Sequence, residues 1–534
     1  MTAETVTQAL YSRAAELLSE ETSCQGKATA LATLFVVFIA TWRIYRFTIY
    51  PLFHPNEPQE LPYWIPFLGH LIEFFGNSNN LLTRARGYFG DTREPFALTI
   101  LGMKTYVLTK AEDVAEVYRN SESLSYEEFV QAMMRILGNS ESCVREMFKP
   151  LPKLRGGSGF PNPHGKPLGI LFREMHIHQL FPGSNLTFLE SRFSQFFHEQ
   201  LRLSKIAEAP YAKQEAPGTL VVPLVQWCSD YFAKAGQDAY FGPTLTEIDP
   251  GLTDDFIVFD ELSYQVIYQY PHFLAKKMRA SRDRILKAFK IYLALPPAKR
   301  EKAAWFVGAS MVEMEALKLS EEDKAIAIMT IYWAINTNSR KAAFWLLAYL
   351  LETPSLIDIV RSETDPAFGA DGSIDFTYLH TSVPQLDAMW AEMLRLSAFA
   401  ASVRIVTADT IVGGKTLRQG NRLMVPYRQL HINEAVFGDE VETFRHTRFI
   451  EKPRLAQGSS FRPFGGGSTA CPGRHVAKRA VLIFVALVLR RYDIKLLPGQ
   501  KIIEADLTKP VPGLMSPKMD EDMLVQMVER QVQI

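Results

Sequence analysis

Cys471 is the residue whose surroundings most favour chemistry. It stands in Phe461-Arg-Pro-Phe464-Gly-Gly-Gly-Ser-Thr-Ala-Cys471-Pro-Gly-Arg474, ahead of a largely apolar run from His475 to Leu489. The pattern predicts a glycine-rich loop, the cysteine, and then the first turn of a long helix, with Pro472 where a first-turn amide would lack a partner anyway. Gly465, Gly466 and Gly467 permit backbone angles, and a close approach to a flat ligand, that a side chain would obstruct. Unpaired amides and the positive end of the helix dipole then point towards the sulfur and favour a thiolate. Such a thiolate is a soft, electron-donating axial ligand for haem iron. On the residues alone two other uses stay open. One is a buried small hydrophobe; the other is a thiol nucleophile, whose histidine and acid partners spacing does not place.

Other stretches must position that centre. Ser320-Glu-Glu-Asp323 opens, as a capping box, a helix predicted to run to about Glu352, before Pro354. Some thirty residues at ~1.5 Å each give about 45 Å, enough to cross a domain. Ala334, Thr337, Asn338 and Lys341 lie near one face of it. Glu392 and Arg395 fall one helical turn apart, which alone is usually a surface ion pair worth less than about 1 kcal/mol. Val403 to Pro426 reads as short strands with turns at Gly413-Gly414 and Gly420, and Phe96 to Thr109 as a hairpin around Gly102.

Phe464, Gly467, Cys471 and Gly473 together read Phe-x-x-Gly-x-x-x-Cys-x-Gly, which resembles the haem-binding signature of the cytochrome P450 family. Glu392-Met-Leu-Arg395, with Arg448 in Phe444-Arg-His-Thr-Arg448-Phe449, resembles the family's Glu-x-x-Arg motif and its third partner, a structural lock. The resemblance implies a mainly α fold with a small β region and one haem b (iron protoporphyrin IX). It makes Cys471 the metal ligand, sets Phe464, Gly465, Gly467 and Gly473 around the cofactor, and puts Arg404 on a haem propionate. A solvated strand arginine is the competing reading of Arg404. Thr469 replaces the basic residue usual two before the cysteine. No Trp-x-x-x-Arg occurs in the early helices, leaving His176 and His178 as candidates for the second propionate. In the long helix Ala334-Ile-Asn-Thr337-Asn338-Ser339 replaces the usual Ala/Gly-Gly-x-acid-Thr-Thr/Ser. Thr337 takes the acid position and Asn338 that of the threonine, beside Ser339. Asparagine cannot relay a proton as a titrating group does, but it can orient a water.

Trp333-Ala334 and Ala342-Ala343-Phe344-Trp345 are similar to the branch containing cholesterol 7α-hydroxylase and prostacyclin synthase, and the triple glycine to fungal biosynthetic members. The resemblance implies a monooxygenase acting on a lipophilic terpenoid or polyketide-like intermediate, with O₂ and electrons from NADPH–cytochrome P450 reductase. Arg474, Lys478, Arg479, Arg490 and Arg491 would form the basic docking face; a solvated charged face is the plainer reading. Two alternatives remain: a haem-thiolate isomerase or dehydratase needing neither O₂ nor reductase, and a haem-binding sensor or carrier without turnover.

Composition narrows the setting. The 534 residues carry 58 basic and 58 acidic side chains, so no global field favours nucleic acid. Cys24, Cys143, Cys228 and Cys471 form neither a disulfide framework nor a zinc pattern, which implies a reducing compartment. Residues 1–27 are polar and mildly acidic. Residues 28–50 read as one membrane anchor, whose uncharged run Ala28 to Trp42 is fifteen residues, short of the roughly 20 a bilayer needs unless Arg43 and Arg46 snorkel. An acidic start argues against a signal peptide, and the arginines on the far side place the body in the cytoplasm, at the endoplasmic reticulum membrane. Residues 51–68, with five spaced prolines, form a stiff hinge, and 69–534 the catalytic domain. Leu151 to Leu168 reads as a mobile loop with a second role at a substrate entrance, and the Asn185-Leu-Thr187 sequon as idle on the cytoplasmic side.

Overall fold

The computed structural model describes residues 24–152, 157–518 and 522–530, together with Gln8. Helix α1 (Cys24–Ile44) runs on through a π turn (Tyr45–Ile49) into Tyr50–Phe53. Among the described residues this is the one helix long and apolar enough to cross a membrane, and almost none of it is buried. Its arginines do not reach outward. Arg43 donates to the Tyr63 carbonyl and lies 4.1 Å over the Trp64 ring, and Arg46 pairs with Glu60 at 2.5 Å. The proline-rich segment is docked as well: Leu61 and Tyr63 are buried, and Gln59–Glu60 pairs in parallel with Phe96–Ala97.

That strand edges a six-stranded sheet in the order Gln59–Glu60, Phe96–Ile100, Met103–Val107, Arg422–Pro426, Ala401–Val406, Leu124–Ser125. The expected hairpin is there. Leu101 and Gly102 turn it with φ of 49° and 72°, the left-handed pair that two-residue hairpin turns require. A second sheet joins Tyr492–Leu496, Leu524–Glu529, Thr219–Pro223 and Lys213–Ala216.

The helical body comprises α2 (Leu168–Leu180), α3 (Leu224–Phe241), α4 (Leu252–Glu261), α5 (Glu321–Asn336), α6 (Ser339–Glu352), α7 (Pro384–Ser397) and α8 (Arg474–Arg491), among others. From Ala480 to Leu489 α8 is apolar on every side and fully enclosed, so other helices must surround it. Phe484 meets Phe197, Trp227 and Phe232 with ring centroids 5.1–5.4 Å apart. Ser320 caps α5 as expected, accepting from the Asp323 amide. The single long helix expected from Ser320 to Glu352 is divided: the ladder runs as far as the Thr337 amide, which donates to the Trp333 carbonyl at 3.0 Å, and resumes with the Ala342 amide on the Asn338 carbonyl at 2.9 Å, leaving Thr337 and Asn338 as a turn between α5 and α6. The described parts of the 151–168 loop are tied down, with Leu151 bonded to Gly165 and Ser158 to Glu313 on the Trp305–Ala316 helix; residues 153–156 of that stretch lie outside the described residues.

Candidate active site

The cysteine loop folds back on itself. The Cys471 amide donates to the Phe464 carbonyl at 2.9 Å, and Gly465 and Gly467 take φ of 76° and 57°. The glycines are needed for a different neighbour than expected. A Cβ on Gly466 or Gly467 would stand 2.9 Å from Tyr118, and one on Gly465 would stand 3.0 Å from the Tyr427 hydroxyl. The loop is thus pressed onto the chain's own tyrosines, which meet each other at 2.8 Å.

Cys471 is solvent-accessible, yet burial is the strongest influence on its thiol and raises its pKa against the Gly473 and Arg474 amides and the charges of Arg474 and Arg173. The sulfur is thus open on one side while protein surrounds it on the others. The helix start alone therefore does not make a thiolate here; binding a metal would, because coordination deprotonates a thiol outright. Among the described residues no histidine is one of the largest influences on the sulfur, which disfavours a nucleophile–base pair.

The same signature marks the central helix. Ala327, Thr330, Ile331, Ala334, Ile335 and Asn338 recur at three- and four-residue spacing and are accessible in a stretch, 323–338, otherwise buried. The Ala401–Val406 strand connects this face to the cysteine loop. Just before it, the amides of Phe399 and Ala400 bond Gly513, whose neighbour Leu514 donates to Asn338 Oδ1 at 2.9 Å. Further along, Arg404 donates to Thr469 Oγ1 at 2.7 Å. Four strand residues at about 3.3 Å each separate the two contacts by about 13 Å.

Three arginines converge on that loop. Arg404 is 3% exposed and lies 4.9 Å over Tyr126 and 5.6 Å over Tyr118; Arg462 lies 5.2 Å over Tyr118. Arg173 on α2 reaches the Ala470 carbonyl at 3.4 Å. Among the described residues none of the three pairs with a carboxylate, and the Nε atoms of Arg404 and Arg462 are buried without a partner. Burial pushes the pKa of Arg173 and Arg404 down. A buried cation flanked by two half-buried ones, none with a counter-ion, calls for an anion. Haem supplies two carboxylates at its edge, so the residues present fit that group.

The histidines expected as alternatives go elsewhere: His176 stacks on Phe306 and His178 packs on Trp305. Arg173 could have been found, since Gly169 stands four residues before it. A Cβ on Gly169 would lie 2.7 Å from Phe148, whose ring fills the place of the missing tryptophan.

Beneath the loop sits the predicted lock. Arg395 makes two 2.8 Å bonds to Glu392, and Arg448 adds one at 3.1 Å. All three are at most 3% exposed, so this is no surface pair. Of the three residues expected on the oxygen side, Thr337 is buried and gives its hydroxyl to Asp260 at 2.5 Å. Asn338 is at the cavity face with its oxygen on Leu514, and Ser339 is half-accessible beside it.

A cytochrome P450 family profile matches residues 267–523, which contain the lock, the arginine strand and the cysteine loop. Those residues are a cytochrome P450 domain. The chain's relatives include cytochrome P450 monooxygenase poxD of Penicillium oxalicum, 27% identical over 90% of this chain and 94% of that one. Bovine (Bos taurus) prostacyclin synthase is 26% identical over 87% and 93%, and cytochrome P450 7B1 of Mus musculus 22% over 84% and 86%.

In this chain most of the expected basic docking face is engaged internally. Lys478 pairs with Asp387 and Arg479 with Glu190, both at 2.8 Å, and Arg490 with Asp365 at 3.2 Å. Arg491 bonds the His198 and Leu201 carbonyls, and Arg474 the Cys471 carbonyl. Their first task is to fasten α8 to its neighbours.

Proposed function

We propose that the chain is a membrane-anchored haem-thiolate monooxygenase with Cys471 as the iron ligand. The observation that carries this reading is an accessible Cys471 in a loop on which Arg173, Arg404 and Arg462 converge without carboxylate partners among the described residues. Haem b, when bound, would supply the redox chemistry that activates O₂. The chain's own residues do the rest. The Gly473 and Arg474 amides temper the charge on the sulfur, and the three arginines take the propionates. Phe464 and the glycine loop fix the cysteine, while Ala334 and its apolar neighbours exclude water above it. Asn338, with Ser339, orients a water or a substrate oxygen.

The substrate we infer is a lipophilic terpenoid or polyketide-like intermediate, supported by the apolar helix face and by the fungal relatives. Electrons come from NADPH–cytochrome P450 reductase. Placement at the endoplasmic reticulum membrane, body in the cytoplasm, is supported by α1 and by a patch beside its end: Leu52, Phe53, Trp64, Phe67 and Ile72 are each 66–77% exposed. The test is the absorption spectrum of the reduced, carbon-monoxide-bound protein beside Cys471→Ala. A thiolate-type band lost in the variant supports the ligand; the same band in both rejects it.

A second reading, an isomerase or dehydratase working without O₂ or reductase, is favoured by one feature. Thr337 at the acid position faces Asp260 instead of the cavity, and Asn338 does not titrate. Product formed without NADPH and O₂ would select it.

A further inference from the structure

Arg340 and Lys341 are out of character in an apolar helix: both lie in the first turn of α6 and are at most 3% exposed. The end of α4 meets them. Asp260 Oδ2 accepts from Arg340 and lies 3.4 Å from Lys341 Nζ, and Glu261 accepts from Arg340 at 2.5 Å. Asp260 Oδ1 meanwhile accepts from the Trp333 indole at 2.7 Å and from the Thr337 hydroxyl at 2.5 Å. Ser229 on α3 accepts from Arg340 at 3.0 Å. Burial alone would raise the pKa of Asp260, but Lys341 and Arg340 hold it at about 2, so it stays an anion.

The division of labour between the two oxygens follows the division of the helix. Trp333 and Thr337 come before the interrupted ladder; Arg340 and Lys341 come after it. Interruptions of this kind normally trace to proline, glycine or an inserted group, and the stretch 333–343 contains no proline or glycine. The local chain does not impose the break, so something outside it must. Asn338 sits in the break, holding the Leu514 amide, and a Cβ on Gly513 would overlap its side-chain oxygen.

We propose that Asp260 is a positioning residue: gripping Trp333 and Thr337 with one oxygen and Arg340 and Lys341 with the other, it braces the central-helix break in one geometry and so places Asn338 and the Gly513–Leu514 segment on the cavity wall. The brace is independent of which reaction is catalysed, and rests on the haem-pocket reading only for the second measurement below.

The test uses the full haem-loaded chain in detergent. Thr337→Val with Trp333→Phe removes both donors to Oδ1 and leaves every charge in place; Asp260→Asn with Lys341→Gln removes one charge of each sign. In both, amide hydrogen exchange across 338–342 is expected to quicken by about tenfold while distant helices keep their rates. The ratio of affinities for 4-phenylimidazole, which must touch the wall, and imidazole, which need not, is expected to shift by about fivefold. Asp260→Asn alone should also lower the melting temperature, and the charge-balanced pair should recover it without recovering the ratio. Unchanged or slower exchange in the uncharged double variant overturns the proposal, as does a charge-balanced variant that restores both readouts. Loss of haem from the wild type would instead overturn the functional reading, and the exchange data would still decide the role of Asp260.

Discussion

His431 Nε2 accepts a hydrogen bond from the Arg462 amide at 2.9 Å, while the His431 carbonyl accepts from Arg395. One buried residue thus joins the Glu392–Arg395–Arg448 lock to the start of the cysteine loop. Accepting at Nε2 requires an uncharged ring there. Burial chiefly, then the nearby Arg395, lowers its pKa from 6.5 to about 3. Because the folded-state value is depressed, the unfolded chain takes the proton first. Stability is therefore full above pH 6.5 and declines as pH falls from there towards 3. Melting temperature measured across that window should fall in the wild type and fall less steeply in His431→Phe. The variant itself should start lower by about 1–3 kcal/mol, having left a backbone amide unpaired. Equal slopes would remove His431 as the cause.

Glu392 is the only carboxylate that Arg395 and Arg448 meet among the described residues. Glu392→Ala leaves two buried cations unopposed and should cost about 3–5 kcal/mol, read as lost haem-loaded yield and a lower melting temperature. Lys478→Glu, whose partner Asp387 sits on the partly exposed end of α7, should cost less than about 1 kcal/mol. Comparable losses in both would mean that the lock is no more than another ion pair.

What the sequence made legible has one property in common: residue types at short, fixed spacing. The Cys471 loop, Glu392 with Arg395, the Ser320 cap and the turn at Gly102 each act through neighbours within a few positions. What stayed hidden depends on distant partners. The interruption at Thr337 is gripped by Asp260, 77 residues earlier. Lys478 and Arg479 look like a free basic face until Asp387 and Glu190 are seen opposite them. Arg173 lacked its expected signature because Phe148, from another segment, fills the space above Gly169.

That last substitution is testable by itself. Gly169→Trp should overpack the site and destabilise by about 1–3 kcal/mol, and Phe148→Ala in the same chain should relieve much of it. A tolerated Gly169→Trp would mean that the ring of Phe148 is not the filler. On the same wall, Arg173→Leu and Arg404→Leu should each speed haem transfer to an apo acceptor by about tenfold, and the pair more. Unchanged transfer would assign the arginines to the tyrosines alone.

The proposed orientation across the membrane can be read at the Asn185 sequon. Asn185 opens the Ser184–Gln200 helix; it is half-accessible, with its amide donating to the His178 carbonyl at 3.4 Å and its own carbonyl accepting from Gln179. With the body in the cytoplasm, as proposed, the Asn185 sequon would never meet the glycosylation machinery, whereas the segment ahead of α1 would. Expressed in a eukaryotic host, the wild type should show no mass change with endoglycosidase. Ala3→Asn, which completes a sequon with Thr5, should gain a glycan that the enzyme removes. A glycan on Asn185 would put the catalytic body on the lumenal side. It would also separate the chain from a cytoplasmic reductase, leaving the reaction that needs no electron donor as the one its surroundings permit.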